Sequence, residues 1–310
     1  MNQPKVSIII AHLFDLDFLM NCLRSIFASD YPSLEVVVVY NDNLDGAYEA
    51  VKQKYPQVVA VRNKKNRGFV VPNNQGFKKA TGDVFFMLND DTIIHPQLIS
   101  VLVENLYKDK KIGIVGPKIY YMDEPQKIWF AGGEINWAAQ THWHLGRDVD
   151  DTQWAEQKSP REVDFITGCA LMIKKKVVAK IGPLSRIFYA FYEDADWCQK
   201  AKKAGFLVIY VPFGGVWHAK SNTAGSVFFG PEKRRHFLWL ASAYLFRNFR
   251  REIRRHKNKF IFFHRHLPAK FKPKFYLRFV FADLPNLCWG LVYKVPKSFF
   301  QIIFSKKTGF

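Results

Sequence analysis

Residues 1–115 alternate between two hydrophobic periods, and this alternation narrows the possible folds more than any other property of the chain. Val6–Ala11 and Leu34–Tyr40 are apolar runs of strand length, and Phe18, Leu19, Cys22, Leu23, Ile26 and Phe27 between them recur at helical spacing. Ala47–Tyr55 then suits a helix, Val58–Val61 a strand, Phe69–Ala80 a helix and Val84–Leu88 a strand. Leu98–Tyr107 reads as an amphipathic helix and Ile112–Val115 as a short strand. Strands that are apolar throughout are covered on both faces. The pattern therefore predicts an α/β fold, a mostly parallel central sheet with helices on both sides. With 310 residues the chain can bury one substantial core and still build a small second unit.

The most telling segment is Asp83 to Thr92. The apolar run Val84–Leu88 delivers Asn89, Asp90 and Asp91 to its carboxyl end, where open α/β sheets place their ligands. Adjacent carboxylates repel each other unless a cation lies between them, and a divalent metal carrying a diphosphate is such a cation. A polar turn, with Asp91 or Thr92 capping a helix that starts near Pro96, accounts for the same residues. A second acidic cluster, Glu193, Asp194 and Asp196, opens a helix whose Trp197, Cys198, Ala201 and Ala204 share one side and which ends at Gly205. A helix dipole favours acids in the first turn. Three within four residues nonetheless exceed what a cap needs, and one held near the first cluster could act as a general base toward a substrate hydroxyl.

Residues 118–162 break the rhythm. Trp129, Trp137, Trp143 and Trp154 are mixed with Gly132-Gly133 and many polar residues, which reads as an irregular or hairpin-bearing insert. Such an insert either packs on the sheet or lines a substrate pocket. Val163–Ile173 reads as a strand interrupted by Gly168-Cys169-Ala170. After the strand Phe206–Val211 comes Trp217-His218, a histidine that suits either packing or ligation.

Charge divides the chain. Residues 231–310 hold 19 Lys/Arg against 3 Asp/Glu, while residues 1–230 hold 27 against 24. Of the 50 aromatic residues, 19 also lie in those last 80. The domain boundary is expected near Gly230-Pro231, between a near-neutral body and a basic, aromatic-rich, mainly helical extension. Arg247, Arg250, Arg251, Arg254 and Arg255 fall at helical spacings, and Phe260–Phe263, Phe275–Phe281 and Phe299–Phe304 form aromatic-apolar patches. The run Phe279–Tyr293 contains Asp283 and Pro285 and is shorter than the ~20 apolar residues of a membrane span. Amphipathic pieces of this kind suit the interface of an anionic membrane. No basic and apolar leader precedes the strand at Val6, and Cys22, Cys169, Cys198 and Cys288 form no metal or redox pair. Both traits fit a cytoplasmic protein held peripherally at the inner face of the cell membrane.

In this order the motifs resemble the family 2 glycosyltransferases, inverting enzymes of the nucleotide-sugar-binding GT-A fold. The resemblance covers roughly residues 4–222 and is closest to the rhamnosyltransferase-like branch. It rests on Asn66-Arg67-Gly68-Phe69, Asn73-Asn74-Gln75-Gly76, Thr81-Gly82-Asp83, Leu88-Asn89-Asp90-Asp91, Gly168-Cys169-Ala170 before a basic turn at Lys174-Lys175-Lys176, Glu193-Asp194-Ala195-Asp196 with Cys198, and His218. The resemblance implies a metal, Mn²⁺ or Mg²⁺, held by Asp91 and contacted by His218. It places Asn89 and Asp90 by the ribose or the metal's surroundings. Asp194 becomes the general base and Glu193 the residue that positions it or the acceptor. The nucleotide side would include Ala11, His12, Tyr40, Asn41, Asp42, Asn66, Gly68, Asn73 and Asn74.

The chain departs from the family in two places. Tyr40 stands where an acid usually meets the nucleotide base, and Ala11-His12-Leu13 replaces Thr-Tyr-Asn. Uridine and deoxythymidine donors, dTDP-L-rhamnose among them, both fit the branch. The acceptor implied is a saccharide or lipid-linked saccharide of cell-surface polysaccharide synthesis. Four competing readings stand beside this one: a catalytically silent binding protein of the same fold, a tail that is a packed helical subdomain with its cations on a solvated face, a nucleic-acid-binding protein acting through the basic tail, and a nucleotidyltransferase. The nucleic-acid reading leaves the acidic clusters of the body unexplained. The last should carry a glycine-rich phosphate loop, which Val6–Phe18 lacks.

Overall fold

The computed structural model describes residues 3–42, 45–154, 159–219 and 237–285, with side chains of the last segment described from Phe249 onward. The chain divides into two compact units, one comprising residues 1–136 and 141–220 and the other residues 137–140 and 221–310. The boundary expected near Gly230-Pro231 and the apolar patches beyond Pro285 lie outside the described residues.

The first unit begins β1 (Val6–His12), α1 (Leu16–Phe27), β2 (Leu34–Asn41), α2 (Ala47–Lys54), β3 (Val59–Asn63), α3 (Val70–Lys79), β4 (Val84–Leu88) and β5 (Thr92–Ile94). It continues with α4 (Leu98–Tyr107), β6 (Ile112–Tyr121), β7 (Ile128–Phe130), β8 (Gly133–Asn136), β9 (Thr141–His144), β10 (Arg161–Glu162), β11 (Ala170–Lys174), α5 (Lys175–Ile181), α6 (Glu193–Lys203) and β12 (Leu207–His218). The main sheet runs β10-β12-β6-β11-β4-β1-β2-β3, with β5 added to β12 and β7 to β6. β1 is parallel to β2 and β4, β2 to β3, and β12 to β6. β11 lies antiparallel between β4 and β6.

Burial explains the strands. Every residue of β4 is buried, as are Ile8–Ile10 and Val36–Val39, because helices cover both faces of the sheet. α6 is anchored by Trp197, fully buried, whose Nε1 donates to Gly182 O at 2.9 Å and whose ring lies 5.2 Å from that of Phe77. Glu193, Asp194 and Asp196 occupy its first turn and Lys200, Lys202 and Lys203 its last, both favoured by the dipole.

Three departures from the sequence expectation stand out. β6 is ten residues long rather than four and wholly buried, since Lys118 and Tyr120 both bond Asp151, and Tyr121 OH donates to Asp148. Of the span 163–173 only Ala170–Ile173 pairs with β4, the strand then continuing to Lys174, and the segment before it turns to meet α6. The basic turn expected at Lys174-Lys175-Lys176 is instead the junction of β11, which ends at Lys174, and α5, which starts at Lys175. The insert does contain a hairpin, β8–β9.

In the second unit, α7 (Phe237–His266) is followed by a 3₁₀ turn, Ala269–Phe271, then α8 (Lys272–Arg278) and a π-helical turn, Phe279–Asp283. Phe262, Phe263 and Phe275 are fully buried, and Phe260 packs against Phe275 and Phe279 with ring centroids 5.4 and 4.4 Å apart. Trp137 stacks near Phe262 at 6.1 Å. Among the described residues no helix is long and apolar enough to cross a membrane.

Candidate active site

The carboxyl ends of β1, β2 and β4 lie side by side, so the residues that follow them are neighbours whatever their separation in sequence. At the end of β4 the chain turns sharply. Thr92 Oγ1 donates to Asn89 O at 2.7 Å, and β5 then pairs with the last residues of β12, setting Thr92 opposite His218. That pairing brings His218 to the acidic cluster. His218 Nε2 lies 3.2 Å from Asp91 Oδ1 and 3.5 Å from Asn89 Nδ2.

Asp91 Oδ1 is buried, and the one charged group that meets it among the described residues is His218, an ion pair at 3.2 Å. A buried carboxylate is costly unless a cation meets it, and here the His218 imidazolium does so at a place a metal ion could take over. A carboxylate beside an imidazole is a donor set that suits Mn²⁺ or Mg²⁺ completed by oxygen ligands. The residues therefore fit a divalent cation. Among the described residues no three His, Cys, Asp or Glu side chains converge as a full cage, so diphosphate and water oxygens would have to complete the shell. Burial opposes charge on His218, but neighbouring Cys169 and Asp91 outweigh it and raise the imidazole well above its ordinary range. Ligation requires the neutral ring, so metal binding would release that proton.

His12 occupies the floor of the same region. It is 1% exposed, with Nδ1 2.7 Å from Asp90 Oδ2 and Nε2 2.8 Å from Asp45 Oδ2. Both ring nitrogens can donate only in the imidazolium form. Burial works against that charge, yet the two carboxylates raise the pKa of His12. Burial in turn raises Asp90, against the pull of His12. Asp45, unassigned by the motifs, is thus joined to the site, where it also accepts from Ala47 N at 3.1 Å at the start of α2.

The remaining residues on the nucleotide side are placed as follows. Tyr40 is 1% exposed and lies edge-on to His12 and Tyr48 at 6.1 and 5.5 Å. Asn41 accepts from Arg67 N at 3.0 Å and donates to Gly68 O at 2.9 Å. Asn66 Oδ1 accepts from Gly68 N and from Tyr189 OH. Asn73 Nδ2 donates to Phe69 O, and Asn74 both donates to and accepts from the backbone of Leu184. Asn41, Asn66, Gly68 and Asn74 thereby tie the loop 66–69 and the segment 184–189 together. Ala11 pairs with Val39 in the sheet, and Asp42, just after β2, has a positive φ of 96°.

The two acidic clusters meet at one turn. Cys169 O accepts from Asn89 N at 2.9 Å, while the adjacent Gly168 N donates to Asp194 Oδ2 at 2.9 Å. Asp194 Oδ1 accepts from Ala195 N at 2.8 Å. A Cβ on Gly168 would press on Met87 and Phe69 at 3.2 Å, so this turn sits close against β4. Burial raises the Asp194 carboxyl, while the Gly168 and Ala195 amides pull it back down. Glu193 is 6% exposed, and its Oε2 has no hydrogen-bond partner among the described residues. Burial together with the Asp194 charge raises its pKa well above the usual carboxylate range. His142 on β9 faces Tyr192 at 4.7 Å, and its charge bears on Asp194. Trp129 on β7 lies 4.7 Å from the His218 ring. The insert therefore borders both clusters through residues that no local sequence signal distinguished from packing aromatics.

A family model described as "Glycosyltransferase like family 2" matches residues 4–242. Protein y4gI of Sinorhizobium fredii is 28% identical over 76% of this chain, a match that covers only 26% of its own length. The N-acetylglucosaminyl-diphospho-decaprenol L-rhamnosyltransferase of Mycobacterium tuberculosis is 22% identical over 66% of this chain and 72% of its own. The crystal structure of GalNAc-T7 with UDP, GalNAc and Mn²⁺ superposes with a TM-score of 0.57 at 18% identity, covering 70% of this chain and 44% of that one. The sheet and helices described above are those of the GT-A glycosyltransferases, and the chain belongs to glycosyltransferase family 2.

Proposed function

We propose that the chain transfers a sugar, with inversion, from a uridine or deoxythymidine diphosphate donor to a saccharide or lipid-linked saccharide acceptor in cell-surface polysaccharide synthesis. L-rhamnose is the sugar best supported, because the mycobacterial relative is named a rhamnosyltransferase acting on a diphospho-decaprenol acceptor. The observation that carries the reading is the Gly168-Cys169 turn, whose consecutive backbone groups bind Asp194 on one side and Asn89 on the other.

In this reading Asp91 and His218 would hold Mn²⁺ or Mg²⁺, which when bound would supply positive charge against the leaving diphosphate. Support comes from the juxtaposition of the buried Asp91 carboxylate and His218, and from the Mn²⁺ that accompanies UDP in the GalNAc-T7 crystal structure. Asp194 takes the proton of the attacking acceptor hydroxyl. Its raised pKa brings it nearer the range in which a carboxylate accepts a proton well at neutral pH. Glu193, kept neutral, offers an O–H to orient the acceptor or the base. His12 holds Asp90 and Asp45 in place on the nucleotide side. Attack from the face opposite the leaving diphosphate inverts the anomeric centre. Residues 231–310 bring the enzyme to the anionic inner face of the cell membrane, where a lipid-linked acceptor is presented.

The test is a panel of sugar nucleotides screened by thermal shift with and without Mn²⁺, followed by NMR of the product of the best donor. Stabilisation by one donor that depends on Mn²⁺, and a product anomer opposite to the donor's, support the reading. A product retaining the donor's configuration refutes the mechanism.

A further inference from the structure

The second unit carries an uncovered apolar stripe on α8 and the π-helical turn after it. Leu277, Val280, Phe281 and Leu284 are 61, 52, 75 and 40% exposed. They follow one another at i, i+3, i+4 and i+7, the spacing of a single helical face. The opposite side is occupied: Phe275 is fully buried, and the Phe279 ring lies 4.4 Å from Phe260 on α7. The helix thus has an inner aromatic face packed on α7 and an outer apolar face turned to solvent.

Charge around the stripe is of one sign. Asp283, the only acid between Glu252 and Pro285, is 8% exposed and paired with Lys259 Nζ at 3.2 Å. Lys270 and Lys274 are exposed just before the stripe. Soluble proteins seldom leave large apolar side chains grouped in this way unless something binds there. A basic helix with one apolar face lies in the plane of a bilayer, its apolar side chains below the headgroups and its cations among them.

We infer that Leu277, Val280, Phe281 and Leu284 insert into the interfacial layer of an anionic lipid bilayer, with Lys270 and Lys274 at headgroup level. The inference rests on the membrane-docking reading above and narrows it from residues 231–310 to one helical face. Single-stranded RNA fits the stripe less well, because three of its four residues are aliphatic and give bases no aromatic plane to stack on.

Co-sedimentation of the full chain with phosphatidylglycerol/phosphatidylcholine vesicles, without donor or acceptor, tests this directly. The variants are Leu277→Ser/Phe281→Ser and Lys270→Glu/Lys274→Glu, each checked for unchanged thermal unfolding. Wild type is expected to partition onto anionic vesicles. The Ser pair should weaken partitioning roughly tenfold to a hundredfold, from the lost burial of two large apolar side chains. The Glu pair should weaken it on anionic vesicles and leave pure phosphatidylcholine unaffected. Wild-type sedimentation by the Ser pair overturns the stripe, and so does tighter binding of wild type to polyuridylate than to vesicles. Absence of wild-type sedimentation refutes membrane docking altogether. Transfer to a water-soluble acceptor, measured on the same proteins, is independent of these outcomes and separately decides the catalytic reading.

Discussion

Glu193→Gln exchanges one carboxyl oxygen for an amide nitrogen without changing volume, and the surroundings of Glu193 dictate an unusual result. The side chain is 6% exposed, its Oε2 has no hydrogen-bond partner among the described residues, and Asp194 is adjacent. Burial and the Asp194 charge raise its folded pKa well above 4.5, so between the unfolded and the folded value the folded protein holds a proton there that the unfolded chain has released. Below the unfolded pKa both states are protonated and stability does not depend on this group. Above it, each further pH unit costs the wild-type fold up to about 1.4 kcal/mol, until the pH passes the folded pKa. The variant's amide does not titrate, so that loss disappears. Urea unfolding from pH 4 to pH 8 should show a variant that gains on wild type as pH rises. Initial rates should stay within about threefold of wild type, since the amide reproduces a neutral acid's donor and acceptor, whereas Asp194→Asn should lose about 10²–10⁴-fold. Parallel stability profiles, or a rate loss in Glu193→Gln as large as in Asp194→Asn, would show that Glu193 is ionised in the fold and refute the argument.

His12→Asn leaves Asp45 and Asp90 without their shared cation. With both carboxylates partly open to solvent the cost should be about 2–3 kcal/mol in urea unfolding, below the range for a fully buried pair. Because the folded pKa of His12 is raised, its contribution is complete below pH 6.5 and fades as pH rises through the folded value, so the deficit should be larger at pH 6 than at pH 9. Gly68→Ala should lower stability by at least about 1–2 kcal/mol, because Gly68 has φ of 80°. A Cβ there would also stand 2.7 Å from the Tyr189 ring, so nucleotide affinity should fall with stability in the same calorimetric series.

The sheet was legible because its strands are buried on both faces and contain almost nothing but apolar residues, as in Val84–Leu88. β6 was underestimated for the opposite reason: Lys118, Tyr120 and Tyr121 look unsuited to burial until Asp148 and Asp151, about thirty residues away, supply their partners. The segment before Ala170 misled in the other direction, being apolar enough for a strand but bent by the contact of Gly168 with Asp194. α5 was hidden by three lysines that suggested a turn. In the site, the residue types of both acidic clusters were readable, since carboxylates grouped at a strand end or helix start are locally conspicuous. The clamp of His12 on Asp45 and Asp90 was not readable, nor was the approach of Trp129 and His142. Each depends on pairings between distant segments that only the sheet order creates.

Titration calorimetry of UDP and dTDP in the presence and absence of Mn²⁺, on wild type, Asp91→Ala and Asp194→Asn, tests the assignment of the two carboxylates most directly. Metal-dependent binding should be present in wild type, retained in Asp194→Asn together with loss of transfer, and weakened at least about tenfold in Asp91→Ala. Equal, metal-independent binding in all three proteins would contradict the account.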